Sequence, residues 1–88
     1  YRYFVEAEEL HYQTREQEAR DVFLKAVEAD PEFGMAWAKL ATTSGNLNLT
    51  EDQRRYSEKA MEFLDRMTEP ERAYIEGRYY GQNLETFA

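Results

Sequence analysis

The stretch EARDVFLKAVEADPEFGMAWAKLA, Glu18 to Ala41, decides the fold. Its first half sets Ala19, Val22, Phe23, Ala26 and Val27 at i, i+3, i+4, i+7 and i+8. That is one apolar stripe on an α-helix. Asp30-Pro31 then ends the helix, because proline has no N–H to donate and disfavours helical geometry at the residue before it. A second apolar set follows at Trp37, Leu40 and Ala41. The stretch therefore reads as a helix, a proline-marked turn and a second helix. Small Ala19, Ala26 and Ala41 let the two backbones approach. Phe23 and Trp37 are expected to fill the space between them, both mostly buried.

Upstream, Tyr3, Ala7 and Leu10 lie at i, i+4 and i+7, which predicts a helix over 2–12 with those three facing inward. Thr14-Arg15-Glu16-Gln17 has the T-x-x-Q form of a capping box and opens a helix predicted over 15–29. Downstream, a helix is predicted over 34–45, and SGNLNLT, Ser44 to Thr50, breaks it with one Gly and two Asn. Thr50-Glu51-Asp52-Gln53 is a second box. It opens a helix over 51–67 with Tyr56, Ala60, Phe63, Leu64 and Met67 on one side. Thr68-Glu69-Pro70-Glu71 is a third box before a helix over 70–81. Pro70 falls in its first turn, where a missing N–H costs nothing. The pattern predicts five antiparallel helices and no strand.

Composition narrows the function classes. Among 88 residues, 18 acids face 11 bases, and the net charge of −7 argues against nucleic acid and against an anionic membrane surface. There is no cysteine, which excludes disulfides, thiolate metal sites and a Cys nucleophile. No apolar run is long enough to span a bilayer. Ser44 and Ser57 have no neighbouring His to activate them, and no Gly-rich phosphate loop occurs. An enzyme is not expected, nor any cofactor. Asn48-Leu49-Thr50 has the form of a glycosylation acceptor, but Thr50 is better explained as a helix cap. His11 is the sole histidine, and Glu8-x-x-His11 has the spacing of a di-iron carboxylate ligand pair. A complete site needs two such pairs and two further Glu, so metal binding would require a dimer and stands as a remote alternative. The chain opens at Tyr1 inside a helical pattern, with neither an initiator Met nor a signal peptide. It is expected to be part of a longer chain, in the cytoplasm, with the periplasm equally compatible with the lack of cysteine.

Ala19, Phe23, Ala26 and Pro31 are spaced as A-x3-F-x2-A-x4-P, and Trp37, Leu40 and Ala41 as W-x2-L-A. Both patterns resemble the tetratricopeptide (TPR) repeat, whose period is 34 residues. At that period Tyr3 falls on Trp37, Ala7 on Ala41 and Ala26 on Ala60. Phe23 falls on Ser57, Ala19 on Gln53 and Pro31 on Asp65, which depart from the pattern. The run Leu64 to Gly77 resembles TPR arrays of bacterial signalling proteins more loosely. The resemblance implies an all-α solenoid of antiparallel helix pairs, with repeats at about 1–33 and 34–67 and a partial one at 68–88. It also implies a protein-interaction module that takes a peptide or partner helix in the concave groove lined by the first (A) helix of each repeat.

Carried over by residue, that groove is Tyr1, Phe4, Glu8 and His11, then Met35, Ala38, Thr42 and Gly45, then Glu71, Tyr74, Arg78 and Gly81. The Lys and Asn set with which one TPR groove grips a peptide carboxylate is missing. A structural alternative is self-association without a ligand. Tyr79, Tyr80, Leu84 and Phe87 extend the aromatic end of the last helix, and a homodimer through that helix is one expectation.

Overall fold

The computed structural model describes the backbone of residues 1–85 and the side chains of residues 1–77. Five α-helices follow in order: α1 (Arg2–Tyr12), α2 (Glu16–Ala29), α3 (Gly34–Asn46), α4 (Thr50–Met61) and α5 (Glu69–Glu85). A single 3-10 turn, Leu64–Arg66, separates the last two. No strand occurs among the described residues, so the fold is all-α. Short connections lay α2 on α1, α3 on α2 and α4 on α3, while α5 touches α4 and α3 more sparingly.

The core forms where α2 and α3 meet. Phe23 and Leu40 are fully buried, and Ala19, Ala36 and Ala41 supply the close backbone approach. Removing a Phe side chain from water contributes about 1.5–3 kcal/mol. Phe4 reaches in from α1, edge-on to Phe23 at 5.8 Å between ring centres and 4.8 Å from Phe33. The inward stripe of α1 is therefore Phe4, Ala7 and, half-buried, Leu10, and not one led by Tyr3, which is 40% exposed. Phe4 stands three residues before Ala7 and Tyr3 four, and both spacings share a helix face. The purely apolar ring takes the core position and the phenol keeps its water. A second cluster, Ala38, Ala60 and Ile75, joins α3, α4 and α5.

Trp37 is mostly, though not fully, buried, in keeping with the expectation. It packs against both clusters, and its ring centre lies 5.9 Å from that of Tyr56. The indole N–H needs an acceptor. It finds the Pro31 carbonyl at 2.8 Å, at the molecular edge.

Two of the three expected caps are replaced by something else. The Arg15 N–H donates to the Leu10 carbonyl and the Thr14 N–H to that of His11, each at 3.0 Å. The Leu49 N–H donates to the Ser44 carbonyl at 2.8 Å and the Asn48 N–H to that of Gly45 at 3.0 Å. Both patterns are Schellman closures of a helix C-terminus, with Thr14 (φ 59°) and Asn48 (φ 63°) in the left-handed region. The two closures lie 34 residues apart. Thr14 therefore cannot take the extended geometry of an N-cap, and its hydroxyl donates to the Gln13 carbonyl instead. Thr50 lies inside α4, which starts after Leu49 without a side-chain cap. The third box forms: the Thr68 N–H donates to Glu71 Oε1 at 2.9 Å, and the Glu71 N–H to Thr68 Oγ1 at 3.4 Å.

α4 ends at Met61, six residues before its expected end at Met67. Beyond it the Glu62 and Phe63 N–H groups turn to carbonyls three residues back. The reason is tertiary. Phe63 and Met67 both close on Gly34, the first residue of α3. A methyl at Gly34 would stand 3.1 Å from Phe63 Cβ and collide with the Met67 side chain.

Candidate binding surface

The expected groove residues meet different fates. Phe4 and Ala38, at 8% and 7% exposure, belong to the packed interior and have little surface left for a ligand. Glu8 Oε1 lies 3.5 Å from Lys39 Nζ, which in turn sits 4.7 Å from the centre of the Tyr74 ring. One row, Glu8, Lys39, Tyr74, thus ties α1, α3 and α5 together. Lys39 is the single charged residue of α3 and was not among the expected site residues. That isolation was the one signal by which it could have been found.

His11 points another way. Its Nδ1 lies 2.7 Å from Glu16 Oε1, and Glu16 Oε2 accepts from Asn46 Nδ2 at 2.9 Å. This second cluster joins α1, α2 and α3. The Glu8-x-x-His11 pair is accordingly split, the carboxylate to Lys39 and the imidazole to Glu16. Among the described residues no group of three or more His, Cys, Asp or Glu side chains is arranged to hold a metal ion. Met35 and Thr42 are half-buried, and the Thr42 hydroxyl donates to the Ala38 carbonyl at 3.2 Å. The side chains of Arg78, Tyr79, Tyr80 and Leu84, and Phe87 as a whole, lie outside the described residues.

Sequence reasoning missed a cleft of about 510 Å³ between α2 and α4. Its floor is Leu24, Val27, Trp37 and Tyr56. Its rim carries Glu28 on α2, Arg55, Glu58 and Lys59 on α4, and Glu62 just past the end of α4. Arg55 lies beside Tyr56 and Asp52, and a hydrogen bond to Tyr56 followed by the charges nearby raises its pKa above the usual guanidinium range. A second hollow of about 500 Å³ lies by Met67, Arg72, Ala73 and Glu76 on α5. No helix among the described residues is long and apolar enough to cross a membrane.

Compared with protein-family models, characterised proteins and solved structures, the chain matches none.

Proposed function

We propose that the chain is a protein-interaction module of TPR-like construction, which holds an extended or helical peptide against the A-helix faces of α1, α3 and α5. What supports this reading most is the recurrence at 34 residues of one backbone device: a helix closed by a left-handed residue, Thr14 or Asn48, and followed at once by its antiparallel partner. Stacked helix pairs of this kind leave one continuous face made by alternate helices. On that face the row Glu8, Lys39, Tyr74 offers a carboxylate, an ammonium and an aromatic ring, with Met35 and Thr42 beside them. Such a mixture of an apolar anchor point and polar groups suits a peptide.

The test is a selection of displayed twelve-residue peptides, followed by mapping of the amide shifts that a selected peptide produces in the labelled full chain. Shifts gathered on α1, α3 and α5, with binding lost in Thr42→Arg and Lys39→Glu, are the expected outcome. Shifts gathered elsewhere, or unaltered binding in both variants, would overturn it.

A further inference from the structure

We infer that the cleft between α2 and α4 is a second binding surface, and that its occupant is a short helical segment of a partner polypeptide in which an apolar side chain is flanked by lysine or arginine. It stands whether or not the A-helix row binds a peptide.

Shape comes first. The α4 side of the cleft runs from Arg55 to Glu62, two helical turns or about 10 Å. A groove between neighbouring helices with an apolar floor is the form into which an amphipathic helix lays its apolar face. The floor here is two aliphatic side chains and two aromatic rings, with Trp37 and Tyr56 both in reach of an inserted side chain.

Charge then selects the flanks. The rim holds both signs, but the cations are already engaged. Arg55 pairs with Asp52 at 2.9 Å and lies over the Tyr56 ring. Lys59 stands 3.7 Å from Glu62 and faces the rings of Trp37 and Phe63. Among the described residues, Glu28 on one wall and Glu58 on the other have no ion pair. Arg55 shares Asp52 with Arg20, so the lining holds a small acidic excess, three acids against two bases, with an unpaired carboxylate on each wall. This excess agrees in sign with the net charge of −7, which raises the rate of encounter with cationic partners.

The only tryptophan of the chain lies in this cleft, which makes its emission a local reporter. The probe is a tryptophan-free amphipathic peptide of leucine and lysine, capped at both ends, with a leucine–glutamate peptide of equal length as its counterpart. The lysine peptide should change the Trp37 emission saturably and shift the amides of α2 and α4. The glutamate peptide should do neither. Reversing both walls, Glu28→Lys with Glu58→Lys, should weaken binding about tenfold, since two modest attractions become repulsions. Reversing two exposed glutamates of α1, Glu6→Lys with Glu9→Lys, changes the net charge equally and should weaken it less than about twofold, because it acts only through the screened field. Glu28→Gln with Glu58→Gln, which adds no repulsion, serves if the double reversal fails to fold. Three results would each overturn the inference: equal weakening by the α1 and cleft reversals, equal binding of the two peptides, or shifts that map to α1, α3 and α5 with no change at Trp37. The last of these would leave the A-helix face as the binding surface, so the two surfaces fail separately.

Discussion

At the residue scale, Thr14 and Asn48 perform the same task with different fitness. Asparagine tolerates the left-handed region, whereas a β-branched threonine at φ 59° is strained there by about 1–2 kcal/mol. Thr14→Gly should therefore stabilise the chain by about 1 kcal/mol. Asn48→Ala should destabilise it by a similar amount, because alanine is also unsuited to positive φ. Paired thermal melts check both, and a Thr14→Gly variant that melts lower would refute the strain. Phe23 and Trp37 make a second contrast. Phe23 has no exposed surface, and Phe23→Ala should cost about 3–5 kcal/mol. Trp37→Phe keeps most of the packing and loses the bond to the Pro31 carbonyl, so urea titration should show a loss of only about 1 kcal/mol.

At the scale of the element, three stretches with the same T-x-x-E/Q form end in different structures. The difference lies in what precedes them. Thr14 follows α1 so closely that it must serve as that helix's terminating residue, and Thr50 follows the Asn48 closure by two residues. Thr68 follows a 3-10 turn and an extended Met67, so its hydroxyl and the Glu71 carboxylate meet reciprocal N–H groups. Thr68→Ala should accordingly cost about 1 kcal/mol. Thr50→Ala, at a site with no cap hydrogen bond, should change the melting midpoint by much less. Equal losses in the two variants would mean that the caps are not distinguished as described.

At the scale of the whole molecule, cohesion is unequal. Helices α1 to α4 share the large cluster around Phe23 and Leu40, while among the described residues α5 is held chiefly through Ile75 and Tyr74 against Ala38 and Ala60. An element held by fewer packing contacts opens at lower free energy. Native-state hydrogen exchange should find the amides of 72–77 less protected than those of 19–27. Equal protection would show that α5 unfolds only with the rest. This gradient bears on function, since the proposed A-helix face includes α5 whereas the α2–α4 cleft rests on the firmer part.

The sequence by itself determined the five helices, their near-correct starts, the stop at Asp30-Pro31 and the inward faces of α2 and α3. Those follow from local causes: apolar spacing, missing N–H groups and small residues at 3.6-residue periodicity. Only the tertiary structure decided which of Tyr3 and Phe4 turned inward, because both satisfy the same periodicity and only the ring between Phe23 and Phe33 distinguishes them. It likewise decided where α4 stops, through the closure of Phe63 and Met67 on Gly34. The surface was the least legible part. Phe4 and Ala38 sank into packing and Glu8 found Lys39 from another helix. The cleft arose from Leu24 and Val27 on α2 meeting Trp37 on α3 and Tyr56 on α4, residues far apart in the chain. A helix pattern records which face of each helix is apolar. How deeply a side chain sits, and which charge it finds, depends on the distance between helices, which no single helix encodes.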